Sequence, residues 1–198
     1  MSFTDHESGL SMGGQFVSTK YRKGGQEFWI TVRYIDYNGA CLHYDQRVLI
    51  IEEFENVRPT SLLDVGPLSG GDAKETFKER GREFVRLQGK HFLEYHGDLL
   101  KKIHWGELLH LNAVCRVMVD CAAYPEMNQM GQVRQNSDRK GLGDLSRAPD
   151  QMLLCAPTVL GYSFTREKWG RFMVDEFSSI IWRNGAFDHL VPQTRQKN

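Results

Sequence analysis

The amino-acid sequence predicts a strand-rich α+β domain, and three observations carry that prediction. Aromatic and β-branched residues crowd Phe28 to Tyr37 just ahead of Asn38-Gly39, the pattern of a hairpin. Ala73 to Gln88 places apolar residues at helical spacing behind a capping signal. Short apolar runs bounded by Gly, Pro and Asn recur through the rest of the chain, which is how short strands read. One main helix, antiparallel hairpins and a long mobile loop make up the expected fold.

Taken in order, residues 1–14 are polar and hold Gly9, Gly13 and Gly14, so they read as a flexible lead-in with structure starting near Gln15. Asn38-Gly39 accommodates the positive φ angles of a type I′ turn, and the return strand runs from Leu42 to Ile51. Beyond it Glu52-Glu53-Phe54-Glu55 looks solvated. Ser69-Gly70-Gly71 breaks the chain before Asp72, which with Glu75 supplies an N-cap and its capping-box partner. In the helix about 73–88, Phe77, Phe84 and Leu87 fall on one side, and Gly89 can take the left-handed conformation that ends it. Gly81 costs about 1 kcal/mol relative to alanine inside a helix, so a close neighbour must require it.

His91 to Tyr95, Ala113 to Cys121, Met152 to Cys155, Val159 to Phe164 and Arg171 to Val174 read as further strands, with a turn at Tyr95-His96-Gly97. Tyr124 to Asp150 is crowded with Pro, Asn, Gln, Gly, Arg and Ser and reads as a disordered loop, longer than the about 15 residues that a compact domain ordinarily leaves structureless. Residues 15–192 form a single domain, and 193–198 a tail. At 198 residues such a domain buries roughly 70% of the surface of its unfolded chain.

Composition narrows the function. The formal net charge is zero, 25 basic residues against 25 acidic, and the sequence pI is about 7.1. That balance speaks against nucleic acid as the main partner, since a protein gripping phosphates carries a basic face. The short clusters Lys20-Tyr21-Arg22-Lys23, Lys101-Lys102 and Arg139-Lys140 leave a weak nucleic-acid-binding module as an alternative. There is no signal-peptide pattern at the N-terminus and no apolar run near the roughly 20 residues of a bilayer span. With four cysteines, Cys41, Cys115, Cys121 and Cys155, the expected state is reduced thiols in the cytoplasm or nucleus.

Chemistry-bearing patterns are sparse. A phosphate-binding GxxxxGK[ST] is absent, and in the nearest stretch, Gly66 to Ala73, Asp72 puts a carboxylate where an anion would sit. Cys115 and Cys121 would share a strand face but lie about 20 Å apart along it, too far for one metal or a disulfide. His91 and His96, an odd number apart, point to opposite faces, while Cys41 and His43 share a face but are only two potential ligands. Gly161-Tyr162-Ser163-Phe164-Thr165 meets two of the three fixed positions of a GxSxG nucleophile elbow and lacks the glycine that permits the sharp turn. No catalytic residue, no metal site and no cofactor is expected.

The chain resembles the uncharacterised domain that precedes the ATPase module in fungal AAA-type ATPases. The likeness rests on the order of Trp29 to Gly39, Glu79 to Phe84, Tyr95 to Gly97, Arg116 to Asp120 with Tyr124, and above all the run Leu153 to Phe164, Lys168 to Gly170 and Ile181 to Leu190. It implies a non-catalytic recognition or regulatory domain, here without its motor, that binds a protein substrate, an adaptor or an ATPase subunit. Tyr162, Trp169 and Trp182 are the candidate contact residues if exposed, and core residues if not; the 124–150 loop is a further candidate surface. The alternative is a small-molecule enzyme with a pocket built from His91, Glu94, His96 or Cys155.

Overall fold

A computed structural model describes residues 1–5, 10–22, 27–52, 65–68, 71–102, 108–127 and 141–182. Among them the strand-rich α+β fold is as expected: one long helix, and strand ladders that are all antiparallel. The strands are β1 Ser2–Asp5, β2 Leu10–Gly13, β3 Gln15–Arg22, β4 Glu27–Tyr37, β5 Leu42–Glu52, β6 Val65–Gly66, β7 Lys90–Lys102, β8 Leu108–Asp120, β9 Thr158–Ser163, β10 Lys168–Met173 and β11 Phe177–Ser178. The helices are α1 Gly71–Arg86 and the one-turn α2 Tyr124–Met127.

The strands form three sheets, ordered β2-β1-β6, β3-β4-β5 and β10-β9-β8-β7-β11. In the third, β7 and β8 pair along their whole lengths, from Lys90 opposite Asp120 to Lys102 opposite Leu108. The sheet curls until β10, already paired with β9, also pairs with β7 through Arg171 opposite Leu100 and Phe172 opposite Leu99. It is therefore a small closed barrel of β7 to β10, with β11 joining the same edge of β7 at Tyr95 and Glu94. Closure at so few strands bends the backbone hard, and glycine is the residue that permits it. Gly161 and Gly170 face each other across β9 and β10; a side chain on Gly161 would press on the Met118 carbonyl, and one on Gly170 would collide with the Leu99 side chain.

The barrel interior follows from strand alternation. Leu93, Tyr95, Leu99, Val117, Val119 and Phe172 are buried. Tyr95 carries a hydroxyl into this interior and satisfies it, donating to the Asp98 carbonyl at 2.8 Å and accepting from the Met173 amide at 3.2 Å. Its ring meets that of Phe172 edge-on, centroids 4.9 Å apart.

The β3-β4-β5 sheet joins the barrel layer through a short splice. Cys155 makes a parallel bridge with Ile35, and the Ala156 amide donates to the Ile35 carbonyl at 2.8 Å. Helix α1 packs on a 3₁₀ helix, Pro149–Leu154, with Phe84 and Leu87 buried. Gly81 has the reason its sequence position demanded: any side chain there would run into the Met152 carbonyl.

Several expectations are corrected. Of residues 1–14, expected to be a lead-in, the described ones form β1 and β2, which bury Phe3 and Met12, and β1 pairs with β6. The Asn38-Gly39 loop spans Asn38 to Cys41 between Tyr37 and Leu42, and Asn38 lacks the positive φ of a type I′ turn. Its side chain instead accepts from the Ala40 and Cys41 amides, both at 2.9 Å, an Asx-type turn, with Gly39 at φ 93°. Asp72 lies within the first turn of α1 rather than capping it, whereas Gly89, at φ 89°, adopts the expected left-handed conformation. Tyr95-His96-Gly97 is mid-strand, not a turn. Met152 to Leu154 belong to the 3₁₀ helix, not to a strand.

The loop expected over 124–150 is tied down at both ends. It opens with α2, and its far end buries Leu145 and donates from the Leu142 amide to the Leu42 carbonyl at 2.7 Å. Residues 128–140 lie outside the described residues, as do Glu53 to Glu55, Ser69-Gly70, the 193–198 tail and Arg183 to Leu190.

Gly81→Ala should destabilise the protein by about 1–3 kcal/mol through overpacking against Met152, despite alanine's better helix propensity. Gly71→Ala, with open space around its Cβ, should stay within about 0.5 kcal/mol of the parent. Urea unfolding of the two variants checks both.

Candidate functional site

The residues that sequence reasoning singled out are dispersed, and their dispersal follows from the topology. Strand alternation turns Glu94 and His96 of β7 outward, opposite Arg116 and Val114 of β8. These four line a groove of about 440 Å³ on the outer face of the barrel, closed at one end by Phe164 and Thr165. His91 does not line it; its Nε2 lies 2.7 Å from the Gln88 carbonyl at the end of α1. Cys155 is buried at the splice with Ile35. The four residues of the enzyme alternative are thus not gathered into one pocket.

Ser163 is the inward-facing end of β9, fully buried. Its hydroxyl donates to the Cys115 sulfur at 3.2 Å and accepts from the Arg166 amide at 3.2 Å. The chain after it makes a tight turn into β10 rather than a helix, so the elbow geometry is missing along with its glycine. Among the described residues no cluster of His, Cys, Asp and Glu could hold a metal ion, and no helix is long and apolar enough to cross a membrane.

The thiols differ by environment. Burial pushes Cys121 up to about 12, against a weaker lowering from hydrogen bonding with the Leu160 backbone. Burial likewise pushes Cys155 up to about 12, with Asp36 adding to the effect and Arg80 opposing it. Neither is a thiolate at neutral pH, which is what nucleophilic work needs. Cys115 is buried too, and Cys41, beside the β4-β5 loop, is half-buried.

The three aromatic candidates form part of one train of rings across the barrel's outer face. Tyr124 meets Trp169 edge-on at 5.8 Å, Trp169 meets Tyr162 at 5.4 Å, and Tyr162 meets Phe164 at 5.4 Å. Phe164 then meets Phe92 at 5.3 Å, and Phe92 meets Trp182 at 6.1 Å. The train passes from core to solvent. Tyr124 is buried, Tyr162 and Trp169 are half-buried, and Trp182 is 63% exposed with the Arg116 guanidinium 5.3 Å from its ring centroid. Around the exposed end lie Phe92, Val114, Phe164 and Ile181, the last two 46% and 83% exposed. Sequence reasoning named Tyr162, Trp169 and Trp182 but missed Phe92 and Val114. The signal was present: both sit on the polar phase of their strands, where an apolar residue is out of pattern.

The basic clusters do not assemble into a described face. Lys20 and Tyr21 lie near the end of β3, where Tyr21 packs on Phe28 at 5.0 Å, and Lys101 is near the end of β7. Lys23, Arg139 and Lys140 lie outside the described residues.

Residues 3–70 match a family model described as a domain of unknown function (DUF7025). The match takes in β1 to β6, the two smaller sheets, and stops before α1 and the barrel. The terminal run from Leu153 that weighed most in the resemblance to the pre-ATPase domain therefore lies beyond it. No curated protein and no solved structure matches the chain.

Thiol titration of the native protein at pH 8 should show one fast cysteine, absent in Cys41→Ser, and three that react only on unfolding. The raised thiols also set a pH slope. Unfolded thiols lose protons near pH 9 while Cys121 and Cys155 hold theirs to about 12. Their contribution to stability is thus complete below pH about 9 and lost as pH rises through that window. Urea midpoints from pH 8 to 11 should fall, and fall less steeply in Cys155→Ala.

Proposed function

We propose that this chain is a non-catalytic recognition domain that binds a protein partner through the outer face of its barrel. The observation that carries the reading is the exposed apolar cluster of Phe92, Val114, Phe164, Ile181 and Trp182. Exposed apolar clusters rimmed by polar residues mark interaction sites. Aromatic residues rimmed by charge are the usual centre of a protein interface, and here Glu94, His96 and Arg116 supply the rim. The half-buried Tyr162 and Trp169 act behind the contact surface, fixing the exposed rings against a rigid wall and lowering the entropy cost of binding. The resemblance to a pre-ATPase domain makes an AAA-type ATPase subunit, or its substrate or adaptor, the partner class to try first.

The immobilised full chain should retain a protein partner that the double variant Phe164→Asp, Trp182→Ala loses by at least tenfold, as removal of central interface aromatics does. Both changed residues are exposed, so circular dichroism should match the parent, with the melting temperature lowered only by the lost ring contacts to Phe92 and Tyr162. A partner held equally by both proteins, or none held by either, contradicts the reading.

A further inference from the structure

A second groove, of about 580 Å³, lies on the other side of the molecule's splice, between the Pro149–Leu154 3₁₀ helix and the β3-β4-β5 sheet. Arg33 of β4 stands in its wall. Register gives that arginine uncharged neighbours, Gln15 on β3 and Gln46 on β5. Its guanidinium lies over the Tyr44 ring, 4.4 Å from the centroid, and its Nη2 donates to the Gln15 side-chain oxygen at 2.5 Å. Its Nε is buried without a hydrogen-bond partner. No carboxylate pairs with Arg33 among the described residues; Asp150, on the facing wall, is bound to Lys78 at 3.0 Å and is largely exposed.

The protein thus fixes a half-buried, permanently charged group in place and, among the described residues, pairs it with no carboxylate. Arginine cannot shed its proton to escape the cost, and an incompletely bonded buried polar group is one that calls for an explanation. Stacking on Tyr44 holds the plane of the guanidinium, and the buried Nε leaves the Nη edge as the part that faces outward. A planar, pre-oriented fork of this kind matches a carboxylate, which takes two parallel N–H bonds. The groove's lining carries two cations, Arg33 and the Met1 ammonium, the latter donating to the Gly14 carbonyl at 3.1 Å, and one carboxylate, Asp150, so its net single positive charge balances one negative charge. A phosphate dianion would exceed that balance, and Asp150 would repel it.

We propose that this groove is a binding site for a monocarboxylate bearing a small apolar body. Arg33 takes the carboxylate, the amides of Gln15 and Gln151 complete its hydrogen bonds, and Phe16 and Leu154 cover the apolar part. The volume falls in the range of small-ligand sites, about 300–1,000 Å³. The carboxylate can come from a free small acid or from an acidic side chain of a peptide.

The test titrates the full chain with benzoate, with the dipeptide N-acetyl-Leu-Glu-amide and with benzamide as the uncharged control, following side-chain amide signals by nuclear magnetic resonance. Benzoate or the dipeptide should shift the Gln15 and Gln151 signals saturably, with benzamide at least tenfold weaker. Arg33→Gln should weaken carboxylate binding at least tenfold, and Arg33→Lys, which keeps charge but loses the fork, should restore only part of it. Asp150→Asn, remote from the fold's core, should bind several-fold tighter. Tighter binding of the dipeptide points to a protein source, and of benzoate to a free acid. No saturable shift with either carboxylate, or shifts equal to those from benzamide, overturns the proposal without reliance on any variant folding.

Discussion

The pairing of β10 with β7 is the constraint on which the rest of the molecule depends. Without the contacts of Arg171 with Leu100 and Phe172 with Leu99, β7 to β10 would be an open sheet with two exposed edges, an invitation to aggregation. Closure pairs β10 with β7 at Leu99 and Leu100 and creates an inside that Tyr95, Phe172 and Val117 fill. It also forces the composition of the strands that turn the corner: the facing Gly161 and Gly170 are a consequence of curvature.

Closure in turn dictates the outside. With alternation fixed by the filled interior, Phe92, Glu94, His96, Val114, Arg116 and Tyr162 have no choice but to face outward. The aromatic train that links Tyr124 to Trp182 is the physical bridge between this wall and the solvent, each ring positioned by the one before it. On the far side of the Ile35–Cys155 splice a different logic operates: an arginine fixed by Tyr44 and Gln15 and left without a paired carboxylate among the described residues. The two surfaces ask for different things, one a broad apolar partner and the other a single negative charge.

Local signals made part of this legible in the sequence. The β4-β5 hairpin and α1 declare themselves because turn chemistry and helical periodicity are short-range, and Gly81 because an interior glycine is costly enough to need a reason. What stayed hidden is long-range. Phe3 and Met12 look isolated among polar residues, and their burial depends on β1 meeting β6 some sixty residues away in the chain. Gly97 resembles a turn residue, but pairing opposite Ala113 puts it inside β7. Met152 to Leu154 form an apolar run without a period, and Pro149 at the first turn with α1 packed above selects a 3₁₀ helix. The exposed site was half legible. Trp182 could be named but not placed, and Phe92 gains its meaning only once Leu93 and Tyr95 are known to point inward.

Amide hydrogen exchange at the barrel seam tests the account most directly. Closure predicts that the β7 and β10 amides bonded between residues 99–100 and 171–172 exchange only on global unfolding, as slowly as those of the central β7-β8 ladder. Cross-strand nuclear Overhauser contacts should join Leu100 to Arg171. Seam amides that exchange orders of magnitude faster than the β7-β8 ladder, with no such contacts, would mean an open sheet and contradict the barrel and the outer face built on it.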